Sequence, residues 1–145
     1  MKKLTLLLLC VATLGLVSCK KDTYITETQN KTIFVDVLPS DWVLDNSRNT
    51  YIVQLDKIVS LREIDNYHID NEGTLVYVSY PNNSNTFTEY SQLPFVYNLS
   101  SYSFTVYNGG IEVYIQNSDT QNIDPVRPTT KIRFKIVLIA SKNVT

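Results

Sequence analysis

The stretch YSFTVYNGGIEVYIQ, residues 102–116, leaves this chain little choice but an antiparallel β fold. Tyr102, Phe104 and Val106 alternate with Ser103, Thr105 and Tyr107, and beyond the turn Ile111, Val113 and Ile115 alternate with Glu112, Tyr114 and Gln116. A period of two places each apolar triplet on one side of a pleated strand. A two-residue loop at Asn108-Gly109 sets Val106 against Ile111, Phe104 against Val113 and Tyr102 against Ile115. A symmetric three-residue loop would oppose Val106 to Glu112 and mix apolar with polar side chains on one face. Parity therefore predicts a two-residue hairpin, of the type I′ that Asn-Gly favours.

Other segments follow the same pattern. TIFVDVLP is a β-branched run closed by Pro39, and Trp42 just beyond it is expected to plug the core. NTYIVQLDKI sets Tyr51, Val53 and Leu55 against Ile52, Gln54 and Asp56, while TLVYVSY sets Val76, Val78 and Tyr80 against Leu75, Tyr77 and Ser79. Residues 81–85, PNNSN, are a loop by composition. Pro94 in SQLPFVY cannot donate to a ladder, so that strand should begin there or lie at an edge. KIRFKIVLIA starts alternating and becomes apolar on both sides, which predicts a strand passing into a covered position. In DKIVSLREIDNYHI the three-residue spacing of Ile58, Leu61 and Ile64 offers one or two helical turns. The expected fold is all-β: a two-sheet antiparallel sandwich of immunoglobulin-like kind, with seven or eight strands and at most one short helix. A barrel is the alternative.

The N-terminus reads differently. Lys2 and Lys3 precede a mostly apolar stretch at residues 4–17. At 14 residues it falls short of the roughly 20 needed to span a bilayer and fits the apolar region of a secretory signal. Leu16-Val17-Ser18-Cys19 resembles the lipobox of bacterial lipoproteins. The resemblance covers residues 1–19 and implies that Cys19 Sγ is thioether-linked to a diacylglycerol and becomes the new N-terminus. Two or more acyl chains give stable anchoring, at about 0.8 kcal/mol per buried methylene. Cys-Lys-Lys-Asp is similar to the start of many lipoproteins from Bacteroidota, which implies an outer-membrane location, on the cell surface or the periplasmic face. The expected division is a signal peptide at 1–18, lipidated Cys19 with a polar tether to residue 31, and a β-sandwich domain at 32–145. The tether has a coil-like reach of roughly 20 Å.

Removing the signal leaves about 127 residues, enough for one domain with its own core. Losing Lys2 and Lys3 leaves 11 basic against 14 acidic residues, a net charge of about −3. That balance lacks the concentrated basic face that nucleic-acid binding requires. Cys10 is lost with the signal, so Cys19 is the sole mature cysteine and no intramolecular disulfide can form.

Catalytic signatures are sparse. His68 is the single histidine, in a turn-like stretch beside Asp65, Asn66 and Asp70, where a solvated loop residue is expected. No histidine or cysteine pair offers a zinc site, and DNYHIDNEG fails the EF-hand spacing, although its oxygen ligands leave a cation at the His68/Asp70 loop open. No Gly-x-Ser-x-Gly, Walker or dinucleotide glycine pattern occurs. No cofactor is expected apart from the lipid on Cys19. The residues singled out for ligand contact are Tyr77, Tyr107 and Tyr114, which parity sets opposite the apolar faces, where rings could stack on a sugar or a partner's side chain.

In its order of lipobox, polar tether, TLVYVSY, QLPFVY and Asn-Gly hairpin, the chain resembles small β-sandwich lipoproteins of Bacteroidota without assigned function. That resemblance supplies no functional residue. The leading expectation is a non-enzymatic, lipid-anchored binding or accessory module for a glycan or an envelope partner. A structural subunit or spacer of an envelope assembly is the alternative, and a glycoside hydrolase using an acid pair is the third.

Overall fold

The computed structural model describes residues 29–118 and 124–141. The signal segment, Cys19 and the tether up to residue 28 lie outside the described residues. Nine strands occur among those described: β1 (Lys31–Val37), β2 (Val43–Asp45), β3 (Thr50–Gln54), β4 (Gly73–Ser79), β5 (Ser91–Gln92), β6 (Phe95–Tyr97), β7 (Ser100–Tyr107), β8 (Gly110–Asn117) and β9 (Ile132–Ile139). They form two antiparallel sheets, ordered β1-β9-β4-β5 and β2-β3-β8-β7-β6. The count exceeds the expected seven or eight because the edge strands β2, β5 and β6 are only two or three residues long. Such short edges resist pairing with other chains. The immunoglobulin order places the first two strands side by side in one sheet. Here β1 and β2 lie in different sheets, and β1 pairs instead with β9, the last strand.

The inner faces meet in one core. Val35 and Val37 of β1, Val76 and Val78 of β4, and Ile132, Phe134, Ile136 and Leu138 of β9 are buried from one side. Val53 of β3 and Ile111, Val113 and Ile115 of β8 are buried from the other. Each contributes on the order of 1.5–3 kcal/mol by leaving water. Trp42, 3 % exposed, lies with its ring 6.4 Å from that of Phe134 and is the expected core plug.

The hairpin register is the one parity predicts, with Val106–Ile111, Phe104–Val113, Tyr102–Ile115 and Tyr107–Gly110 opposed. Its turn is not type I′. That type needs a positive φ at both central residues, and here only Gly109 has one, at +85°. A tertiary contact pins this turn, because Gly109 N–H donates to the Ile64 carbonyl at 2.6 Å. The I′ pattern occurs instead between β6 and β7, where Asn98 and Leu99 have φ of +46° and +61°. Strand β9 also departs from expectation, since it alternates to its end. Val137 lies between Thr32 and Leu75 in the middle of its sheet, so its apolar character answers lateral neighbours rather than a change of cover.

The helical segment divides. A 3₁₀ turn covers Leu55–Lys57, and α1 covers Asn66–Asn71. Leu61 and Ile64 are buried anchors of the irregular crossing between them, whereas Ile58 is exposed. Helix α1 starts where the Asp65 carboxylate accepts from His68 N–H at 2.8 Å, an N-cap that satisfies an otherwise unpaired donor. Pro94 stands between β5, the edge of one sheet, and β6, the edge of the other, so the expected edge position is found at a crossing between sheets.

The registers define two ends. Lys31 opposes Leu138 and Gly73 opposes Ile139, so β1 and β4 begin near α1. Val37 opposes Ile132 and Ser79 opposes Arg133, so both finish at the far end, beside the β6–β7 turn.

Candidate functional site

The three tyrosines singled out from the sequence face outward and are half-buried, but they do not form one surface. Tyr77 is on the outer face of the four-stranded sheet, while Tyr107 and Tyr114 are on that of the five-stranded sheet. Each already has a partner. Lys135 Nζ lies 4.2 Å from the Tyr77 ring centre and 4.7 Å from that of Tyr90, so a cation occupies that ring face. The Arg48 guanidinium lies 5.7 Å from the Tyr114 ring centre. Tyr107 O–H donates to Asp56, and its ring crosses Gly110 so closely that a Cβ there would come within 2.4 Å. Burial pushes the Tyr107 phenol well above its usual pKa, and the bond to Asp56 adds to the shift.

An open cleft of about 430 Å³ lies on the β2–β3 side of the five-stranded sheet. Val43, Ile52 and Ile58 give it an apolar surface, with Asp45, Gln54 and Glu112 at its margin. Those polar groups are engaged with protein. Gln54 Nε2 donates to Glu112 at 3.0 Å, and Asp45 accepts from the Ser47 backbone and hydroxyl and from Arg48 Nε. These bonds, from Ser47 first and Arg48 second, hold the Asp45 carboxyl at about 2. It is therefore a poor proton donor at neutral pH, as a general acid must not be.

His68 is not the solvated loop residue expected. It lies on α1 with 2 % of its surface exposed, its Nδ1 2.7 Å from Glu72 Oε2 and its Nε2 2.7 Å from Thr74 Oγ1. Sequence reading missed this because Thr74 reaches the ring from the start of β4, after the chain has turned. The hydroxyl–imidazole–carboxylate order is that of an acyl-transfer triad. His68 and Glu72 line an adjoining cavity of about 320 Å³, whereas Thr74 is not among its lining residues. The cluster ties α1 to the start of β4. Asp70 is exposed on α1, and among the described residues no group of three or more His, Cys, Asp or Glu is arranged to hold a metal ion.

The opposite end holds a smaller cavity. Tyr80, Tyr97 and Tyr102 surround a cavity of about 180 Å³ whose remaining wall includes Asn98, Arg127 and Thr130. Strand pairing builds it. Phe95 opposes Tyr102, and Tyr97, two residues along, shares their side of the sheet. Phe95 packs on the core, but Tyr97 projects past it and is 61 % exposed. The Phe95 and Tyr97 rings stack at 6.1 Å and 8°, Tyr80 lies 6.1 Å from Tyr97, and Tyr80 meets Tyr102 edge-on at 6.4 Å and 86°. Burial pushes both the Tyr80 and Tyr102 phenols above their usual range, with the Tyr80–Tyr102 hydrogen bond raising Tyr80 further. Both therefore stay protonated at neutral pH.

Local backbone rules are broken here. Leu99 holds a left-handed φ, which costs an L-residue roughly 1–2 kcal/mol, and such outliers cluster at sites of function. Parity places Tyr80 and Tyr102 facing inward, away from the faces expected to contact a ligand. What it could not show is that both stand where the core runs out. The signal within reach was Tyr97-Asn98, a ring followed by a turn former directly before a strand.

No protein-family model, curated protein or solved structure matches this chain.

Proposed function

We propose that this protein is a lipid-anchored module of the bacterial outer membrane that binds a glycan without catalysing a reaction on it. The lipobox-like Leu16-Val17-Ser18-Cys19 supports the anchor, through a diacylglycerol on Cys19. The tyrosine mouth is the observation that carries the binding. Rings present flat apolar faces to the C–H faces of a sugar, while Asn98, Ser100 and Thr130 supply hydrogen-bonding groups beside them. Among the described residues no Asp or Glu lines this mouth, so they offer no carboxylate pair there for glycoside hydrolysis. Its position fits the anchor, since the described chain enters at the α1 end and the mouth opens at the other.

Two measurements on the full chain test this reading. Cys19→Ser should abolish labelling by a clickable fatty acid and move the protein out of the membrane fraction. A variant that still fractionates with membranes would remove the anchor. The detergent-solubilised lipoprotein should bind saccharides on a glycan array, and Tyr97→Ala should lose that signal. An array pattern that Tyr97→Ala leaves unchanged would place binding elsewhere. A second reading, assembly through a protein contact, is favoured by Val96, Leu99 and Val126, all exposed beside the mouth. It predicts cross-links from these positions to an envelope protein and a silent array.

A further inference from the structure

We infer that the sugar unit held in the tyrosine mouth carries a carboxylate, as a uronic acid does. This rests on the glycan reading above and adds the chemical class of the ligand.

Arg127 is the one charged side chain among the residues that line the mouth. Several cations elsewhere on the domain are answered by neighbours, while exposed Lys57 and Arg62, like Arg127, have no ion pair among the described residues. Arg133 makes two bonds to Asp36 at 2.5 and 2.8 Å, Arg48 bonds Asp45 at 2.6 Å, and Lys31 lies 3.8 Å from Glu63. Arg127 has no such ion pair or hydrogen bond among the described residues. At the mouth this leaves a positive charge without an acidic partner among the described residues.

A guanidinium matches a carboxylate with two parallel N–H···O bonds, a geometry that neutral hydroxyls do not complete. Aromatic walls displace water and raise the strength of such a pair above its value in bulk solvent. The surrounding phenols add no competing negative charge, because burial keeps Tyr80 and Tyr102 protonated. The mouth thus combines ring faces for the sugar, hydroxyl and amide groups for its oxygens, and one cation for its acid. A cavity of about 180 Å³ suits one ring of such a saccharide rather than a folded partner.

The test is calorimetric titration of the detergent-solubilised full chain with galacturonate, glucuronate and mannuronate trisaccharides. Each is compared with its neutral counterpart of the same linkage, and a hexaglutamate peptide is included. At least one uronate should bind about tenfold or more tightly than its neutral counterpart, a preference of about 1.4 kcal/mol. Arg127→Gln should erase that preference while neutral binding persists, and Arg127→Lys should restore part of it. Tyr97→Ala should weaken acidic and neutral sugars alike, with thermal melts of all variants confirming that they fold.

Equal binding of acidic and neutral trisaccharides, unchanged by Arg127→Gln, would overturn the carboxylate and leave the glycan reading standing. Hexaglutamate binding as tightly as the best uronate would overturn the saccharide class. Binding of none of these sugars at millimolar concentration would overturn both.

Discussion

The two ends of the sandwich use similar residue types to opposite effect. At the α1 end His68 is 2 % exposed and both ring nitrogens are engaged, by Glu72 and Thr74. At the far end Tyr97 is 61 % exposed, and Arg127 has no ion pair among the described residues. The hairpin at the α1 end is fixed by the Gly109–Ile64 hydrogen bond, whereas the turn at the mouth holds Leu99 in a left-handed conformation. At one end a satisfied polar cluster, bordering a cavity of about 320 Å³, ties α1 to β4. The other leaves Tyr97 exposed and Arg127 without an ion pair among the described residues, at some cost in backbone strain.

The largest effect should separate the ends directly. His68→Ala is expected to cost about 2–3 kcal/mol in urea unfolding, since it removes a buried ring and leaves Glu72 and Thr74 without their partner. Tyr97→Ala, at an exposed position, should cost about 0.5 kcal/mol. Comparable losses for the two would break the comparison.

A smaller effect of opposite sign should come from the strained turn. Leu99→Gly is expected to stabilise the fold by about 0.5–1 kcal/mol, because glycine adopts the left-handed region freely but adds entropy to the unfolded chain. A loss of stability would mean that the Leu99 side chain contributes more than its backbone costs.

The smallest effect lies on the flank of the far end. The hydrogen bonds from Arg133 are the main cause holding the Asp36 carboxyl below its usual range, with Lys131 assisting. A folded value below the unfolded one stabilises the protein above the ordinary carboxylate pKa near 4. That contribution is lost as pH falls through the lowered folded value. The pair is about a third exposed and screened by solvent, so Asp36→Asn should cost only about 0.5 kcal/mol at pH 7. Melting curves of the two proteins should converge as pH drops below about 4. A gap that persists in acid would point to packing rather than charge.

Much of the fold was legible because alternation is a local property. The β7–β8 register followed from matching apolar triplets across Asn108-Gly109, and a one-residue slip would have exposed both. Trp42 read as a core residue from its place after a closing strand. His68 was misread because its partners, Glu72 and Thr74, hold it only once α1 has folded onto the start of β4. The ligand search looked to Tyr77, Tyr107 and Tyr114 because parity separates outward from inward. It missed that an inward side chain at a strand's end can pass beyond the core.

By itself, then, the sequence determined the antiparallel strands, their inner and outer faces, and a lipobox-like motif at Cys19 read independently of the fold. These depend on residues near one another along the chain, whose period and spacing are visible in one dimension. Only the tertiary structure decided that β1 pairs with β9, that Tyr77 is separated from Tyr107 and Tyr114, and that Tyr80, Tyr97, Tyr102 and Arg127 meet. Those four come from the residue just after β4, from β6 and β7, and from the segment before β9. Periodicity fixes which side of a strand a residue faces, but long-range pairing decides where that strand stops and what stands beside it.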